Sequence, residues 1–252
     1  MNVLTKLGKR YTAVIAFLIL WEASVRFGWV DPQFIPPLTQ VLQFIGEEAA
    51  TGALAHHLLI SLGRAAGGLA IALIAGVPLG IALAGWPDKI RIATEPVLEW
   101  LSHINPFVVF HIIIVFMGAG ELTKVSIIAW ACIWPIMFST LSGMIHADAD
   151  IVKAARSFGL SRLRLTKKVL LPLAFPSILT GTRLAAGYAL LFLIAAEMMG
   201  SSSGLGFMIY TAQANYQIVE MFSGVLIIAV LAIVLDGIMS AAGKWLGHPA
   251  VK

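Results

Sequence analysis

The fold of this chain is decided by the uncharged run Ala65-Ala-Gly-Gly-Leu-Ala-Ile-Ala-Leu-Ile-Ala-Gly-Val-Pro-Leu-Gly-Ile-Ala-Leu-Ala-Gly-Trp-Pro87. Residues 101–120 and 125–147 also contain no Asp, Glu, Lys or Arg. About 20 such residues let a helix cross the roughly 30 Å hydrocarbon core of a bilayer. The whole chain is apolar, with a mean hydropathy of +0.91 and a charged fraction of 12%. The sequence therefore predicts an all-α polytopic membrane protein.

Six transmembrane helices are predicted from the uncharged runs. Their approximate ranges are 11–29, 58–84, 97–118, 124–146, 175–199 and 221–243. Glu22 and Arg26 interrupt the first, and their spacing of four, acid first, favours an ion pair on one helix face. The first span continues without a convincing cleavage site, which favours an uncleaved helix over a signal peptide.

The distribution of basic residues predicts the orientation. With the N-terminus inside, thirteen Lys and Arg residues lie inside and three lie outside. The outside residues are Arg26, Arg64 and Lys124. Positive residues concentrate on the cytoplasmic side of membrane proteins. We therefore expect both termini and the loop between the fourth and fifth spans to be cytoplasmic. The net charge of +4 is explained by this orientation and does not indicate nucleic-acid binding.

Three parts of the chain are expected. They are a first helix with an extracytoplasmic segment over 1–53, a transmembrane domain over 54–243 with a cytoplasmic loop at 147–173, and a cytoplasmic tail over 244–252. Short helices are predicted over 39–50 and 207–216.

Glycines in the second span predict close helix packing. They form the pairs Gly63-x-x-x-Gly67 and Gly76-x-x-x-Gly80, and small residues at this spacing let helix backbones approach each other in a membrane.

The loop from Ile151 to Leu171, closed by Pro172, carries six of the seventeen Lys and Arg residues. Its beginning shows helical periodicity: the apolar stripe is Ile151, Ala154, Ala155 and Phe158, and the other side carries Asp150, Lys153, Arg156 and Ser157.

Gly159 stands where a left-handed residue ends a helix. Ser161 is placed to cap a second short helix that runs to Pro172. The stripe suits either a groove on another protein or the surface of an anionic membrane, and the residues alone favour neither.

This loop resembles the signature loop of binding-protein-dependent ABC transporter permeases. In that family it reads Glu-Ala-Ala, three residues, Gly, nine residues, then Ile-x-Leu-Pro. The matching positions here are Ala154, Ala155, Gly159, Val169, Leu171 and Pro172, with Val169 in place of Ile. Lys153 departs from the usual Glu and changes the charge of that surface.

The resemblance extends over roughly residues 30–245. Ala195-Ala-Glu197-Met-Met-Gly200 followed by Gly204-Leu-Gly206 is similar to the nitrate, sulfonate and taurine permease group. The third span departs from that group, because His103, Asn105 and His111 occupy positions that its members commonly fill with apolar residues and prolines.

The resemblance implies a type I ABC importer permease that works by alternating access. Its loop would dock on a cytoplasmic ATPase dimer, a second permease subunit would complete the pathway, and an extracytoplasmic binding protein would deliver the solute. The chain carries no G-x-x-x-x-G-K-[ST] segment for ATP phosphates. ATP and Mg are therefore expected on the ATPase, and no cofactor is expected on this chain.

Polar groups inside the predicted spans are candidate pathway or gate residues, because an unpaired charge in a membrane is costly. They are His103, Asn105, His111, Arg183, Glu197 and Asp236. Arg183 is placed to attract an anionic solute, to extend its charged end toward the cytoplasmic surface, or to pair with Asp236. His103 and His111 suit polar contacts or a metal ion.

Two other classes of protein are alternatives to the importer hypothesis. A secondary carrier driven by an ion gradient would show repeated halves, and an intramembrane enzyme would show a nucleophile beside a base. Neither feature is found in the sequence. Cys132 is the only cysteine, so an intrachain disulfide is excluded.

Overall fold

The computed structural model describes the backbone of residues 3–245 and the side chains of residues 12–241. Almost all of this part is helical. The helices are α1 Val3–Arg26, α2 Leu38–Thr51, α3 Ala53–Ala84, α4 Asp88–Ser102, α5 Pro106–Met117, α6 Glu121–Ile145, α7 Ala149–Ser157, α8 Arg162–Leu165, α9 Leu171–Met198, α10 Leu205–Ala214 and α11 Ile218–Trp245. The end of the predicted tail, 246–252, lies outside the described residues.

Among the residues whose side chains the structure describes, four helical segments are long and apolar enough to cross a membrane. They are Ala53–Ala84, Glu121–Ile145, Arg162–Met198 and Ile218–Ala241, and the bent pair α4 and α5 makes five if it counts as one span. These segments correspond to five of the six predicted spans. The remaining predicted span, the first one over 11–29, falls mostly on α1 and stays a prediction.

The chain divides into two compact units. One comprises Met1–Ile60 and Ser202–Ala229. Within it, the Trp21 indole N–H donates to the Pro36 carbonyl at 3.0 Å, and the Trp21 and Phe222 ring centroids lie 5.8 Å apart. The short helices predicted over 39–50 and 207–216 are confirmed as α2 and α10.

The predicted Glu22–Arg26 ion pair is also confirmed in this unit, at 2.6 Å. The Glu22 carboxylate accepts a second hydrogen bond from the Thr39 hydroxyl at 3.0 Å, so it links α1 to α2.

The second unit comprises Ser61–Ser201 and Val230–Lys252. Its centre is α6, which packs along α9 and also against α3. A Cβ atom on Gly76 or Gly80 would lie 3.1 or 2.7 Å from a backbone carbonyl oxygen of α6. The predicted packing role of this glycine pair is confirmed. Gly63 faces open space, whereas a Cβ atom added to Gly68 would clash with the Ile128 side chain, so the packed stripe repeats every four residues from Gly68.

The predicted span over 97–118 is not one straight helix but two helices. The chain bends by 78° between α4 and α5. The Asn105 side chain accepts from the Phe107 N–H at 2.9 Å and caps α5. Pro106 follows, and a residue before proline is held out of the helical region. The Asn-Pro pair therefore ends one helix and starts another inside the uncharged run.

The prediction of a separate second helix that ends at Pro172 is wrong. Helix continues from Arg162 to Met198, although Ser161 makes no side-chain cap bond. One π-helical turn, Thr166–Leu170, precedes Pro172. Proline lacks an N–H and crowds the carbonyl four residues earlier, and a wider turn at that point lets the helix pass the proline without a break.

Candidate functional site

The first candidate site is helix α7 and the turn after it. The Asp148 carboxylate accepts from the Asp150 N–H at 2.8 Å and the Ile151 N–H at 3.4 Å, which starts the helix. Gly159 has φ of 73°, as predicted for the residue that ends it. A short basic helix is thus closed by an N-cap and a left-handed turn.

The predicted apolar stripe of α7 is divided between the protein and its surface. Ala155 is buried. Ile151 and Ala154 are exposed, and the Phe158 side chain after the helix is 85% exposed. Because Ala155 anchors the helix, the other three apolar side chains are held in a fixed outward arrangement.

The polar side of α7 carries little fixed structure. Lys153 lies 3.5 Å from Asp150, and both side chains are well exposed. Arg156 is also exposed. Exposed ion pairs contribute at most about 1 kcal/mol, so these charges are free to meet an external surface.

The end of the loop is built into the unit. Leu171 packs against a buried cluster that contains Met144, Ala174 and Ile178, while Pro172 is exposed. The cluster joins the last turn of α6 to the first turns of α9, so both ends of the loop are fixed to the helices that it connects.

The predicted histidine pair is split by the bend. His103 caps the end of α4, and its Nδ1 bonds to the Glu99 carbonyl at 2.7 Å. His111 lies on α5, where its Nδ1 bonds to the Phe107 carbonyl at 2.7 Å. No group of three metal-ligating side chains occurs among the described residues. The Nδ1 atom of each ring is therefore bonded to a backbone carbonyl of its own helix.

Arg183 pairs with Asp236, which is one of the three alternatives predicted from the sequence. Its Nε and Nη2 atoms donate to the two oxygens of the Asp236 carboxylate at 2.6 and 2.8 Å. Such a two-pronged pair satisfies the guanidinium geometry. The carboxylate therefore neutralises Arg183 within this unit.

Glu197 lies in a buried polar cluster that joins α3, α6 and α9. The Arg64 Nη1 atom donates to Glu197 at 2.7 Å, and the Ser61 hydroxyl lies 2.8 Å from the same carboxylate. The Arg64 Nε and Nη2 atoms each donate to Glu121 at 2.6 Å. Lys124 donates to Glu121 at 2.9 Å. The cluster contains two cations and two carboxylates, so its charges balance.

Sequence reasoning missed this cluster, apart from Glu197. The charge count places Arg64 and Lys124 outside but gives neither a partner, whereas their side chains are only 4% and 5% exposed and paired. A signal existed: Arg64 is the one Lys or Arg in the predicted span 58–84, and Glu121 and Lys124 are three apart. Three apart means one helix face. Neither observation predicts that Arg64 pairs with Glu121 and Glu197, because both partners lie far from it along the chain.

Comparison with known proteins defines the class. Residues 76–248 match the family described as the inner membrane component of binding-protein-dependent transport systems. The chain is 35% identical over 220 residues to SsuC of Bacillus subtilis (strain 168), which is named for aliphatic sulfonates transport. That alignment covers 87% of this chain and 79% of the relative.

Two further comparisons agree. The chain is 32% identical over 224 residues to the taurine transport system permease protein TauC of Escherichia coli (strain K12), covering 87% of this chain and 81% of TauC. A chain of the MetNI methionine ABC transporter in an inward facing conformation superposes with a TM-score of 0.72 at 15% identity, covering 80% of this chain and 99% of that one.

The chain therefore belongs to the family of binding-protein-dependent transport system inner membrane components. It is a multi-pass inner membrane protein and a permease subunit of an ABC importer, in which ATP hydrolysis resides on a separate subunit. The alternative of a secondary carrier is set aside, because both the family and the fold are those of ABC permeases.

Proposed function

We propose that this permease imports a small anionic solute of the sulfonate, nitrate or taurine type by alternating access. The names of two relatives, for aliphatic sulfonates and taurine, support this solute class. The cytoplasmic membrane of a prokaryote is the proposed location, with both termini inside, because the positive residues concentrate on that side.

The loop 147–173 is proposed as the contact with a cytoplasmic ATPase dimer. Its proposed contact and supporting residues are Ile151, Lys153, Ala154, Ala155, Arg156, Phe158, Gly159, Leu171 and Pro172. The observation that carries this proposal is the exposed apolar surface at α7: Ile151 is 45% exposed on the helix that Ala155 anchors, and Phe158, directly after the helix, is 85% exposed. An exposed, rigid apolar face beside charged side chains is typical of a protein contact.

The remaining partners follow from the same function. A second permease subunit, most simply a second copy, would complete the pathway, and an extracytoplasmic binding protein would deliver the solute. Lipid surrounds the spans. ATP and Mg act on the partner ATPase, and no cofactor or nucleic acid is proposed for this chain.

The six polar residues predicted for the pathway receive different proposed roles. Exposed His103, Asn105 and His111 are proposed to offer polar contacts near the bend between α4 and α5. Arg183 and Asp236 are proposed to hold α9 to α11 as a pair, and not to read the solute. Glu197 is proposed as the buried anchor of the α3, α6 and α9 cluster.

A pull-down from the native membrane tests the ATPase contact. We expect the wild-type chain to recover a soluble ATPase and nucleotide hydrolysis, and Ala154→Glu to lose both. Ala49→Glu on α2 is the matched control, because Ala49 is also an exposed helical alanine. Retention of the ATPase by Ala154→Glu, or equal loss by Ala49→Glu, would contradict the coupling role of this loop.

A further inference from the structure

We infer that Arg64 and Lys124 form a binding site for a small oxyanion, and that the Glu121 carboxylate occupies this site until the solute replaces it. The inference rests on the proposed import of an anionic solute and names the residues that would read its charge. The occupant is a sulfonate, carboxylate or similar oxyanion group, defined by its negative charge and its two or more acceptor oxygens.

The cluster is asymmetric in burial, and this asymmetry indicates which group can leave. The Arg64 and Lys124 side chains are 4% and 5% exposed, and Glu197 is fully buried. Ser61 holds Glu197 from a second side. The Glu121 side chain is 63% exposed although its carboxylate faces two buried cations. Glu121 alone among the four charges can turn away from the two cations without opening the helix packing.

The charges require another anion when Glu121 leaves. Two buried cations would then face the single carboxylate of Glu197, and an uncompensated buried charge is costly. An incoming oxyanion restores the balance. It can also reproduce the geometry, since the Arg64 Nε and Nη2 atoms bind the two Glu121 oxygens at 2.6 Å as a fork, and this fork fits any planar or tetrahedral oxyanion.

The end of a helix adds to the same site. Glu121 is the first residue of α6, and the preceding Gly120 supplies no side-chain cap. The unpaired N–H groups and the dipole of a helix N-terminus favour an anion there. The oxyanion would therefore meet three favourable features at one place: a guanidinium, an ammonium and a helix start.

The position of the site fits solute entry. It lies at the beginning of α6, whereas the loop 147–173 follows the end of that helix. The 25 residues of α6 span about 37 Å at 1.5 Å per residue. With the loop on the cytoplasmic side, the site would lie at the outer end of the pathway, where a delivered solute arrives first.

The test measures binding of ethanesulfonate to the purified full-length chain in lipid nanodiscs, read as the rise in its unfolding temperature. Glu121→Gln removes the resident anion and keeps the side-chain size. We expect ethanesulfonate to stabilise this variant at a concentration at least about tenfold lower than the wild type requires. Dimethyl sulfone, which is similar in shape and uncharged, should have no effect on either protein.

A matched control separates this site from general charge effects. Asp88→Asn removes a carboxylate from the first turn of α4, where Asp88 pairs with Arg91 at 2.8 Å. This variant should respond to ethanesulfonate as the wild type does. Adding Lys124→Gln to Glu121→Gln should abolish the gain. An equal gain in Asp88→Asn, or none in Glu121→Gln, would overturn the inference.

The wild-type chain gives a result even if Glu121→Gln does not accumulate. Its unfolding temperature should rise with ethanesulfonate and not with dimethyl sulfone, and an equal response to both compounds would overturn the site. The ATPase pull-down is independent of this readout. A permease that recovers its ATPase but ignores ethanesulfonate refutes the oxyanion site and leaves the import function standing.

Discussion

Replacing Gly159 by valine is expected to uncouple transport from the ATPase while the chain remains in the membrane. Gly159 has φ of 73°, and a Cβ atom there would meet nothing within 4 Å. The cost therefore comes from the backbone alone. An L-residue in the left-handed region costs about 1–2 kcal/mol, and a β-branched one is a stronger outlier. Taking about 2 kcal/mol, the ratio of the native turn to other local conformations falls roughly 30-fold.

The assay is ATP-dependent uptake of the solute into membrane vesicles, normalised to the amount of chain in the membrane. Gly52→Val is the matched control, because Gly52 has φ of 81° and is equally open, but follows α2. Gly159→Asn should restore most of the activity, since asparagine tolerates this backbone region. Normal uptake by Gly159→Val, or the same loss in Gly52→Val, would refute the reasoning.

Three other substitutions test the packing and charges of the second unit. Glu197→Ala should lower the free energy of unfolding by about 3–5 kcal/mol, because it leaves a buried pair half-broken; a loss below about 1 kcal/mol in thermal unfolding would contradict its burial. Gly80→Val should lower the unfolding temperature, since a Cβ there lies 2.7 Å from the Met137 carbonyl oxygen, whereas Gly63→Val should change stability by no more than about 0.5 kcal/mol. The double variant Arg183→Gln with Asp236→Asn should cost about 1 kcal/mol or less, because the pair is half-exposed, and should leave the solute concentration for half-maximal uptake unchanged; a marked rise would restore Arg183 as a solute contact.

Several features of the fold were predictable because they depend on neighbouring residues. Uncharged runs indicate membrane helices, since a long apolar helix needs no partner to be stable in lipid. The left-handed turn at Gly159 and the Glu22–Arg26 pair were predictable for the same reason, as both are local along one segment. The bend between α4 and α5 was not predicted, although the Asn105-Pro106 pair is typical of a helix end and a new helix start. The spans were predicted from hydropathy, and hydropathy does not change where one apolar helix ends and another begins.

The sequence by itself determined the class of protein, its apolar helices and the form of the loop after α6, because each is encoded in a contiguous stretch. Tertiary structure alone decided which carboxylates Arg64 meets. Arg64 lies 57 residues from Glu121 and 133 residues from Glu197, and the glycine stripe from Gly68 brings α3 close enough to α6 for these partners to touch. A buried charge is stable only beside its counter-ion, and that counter-ion lies on another helix, which no pattern along one helix can specify.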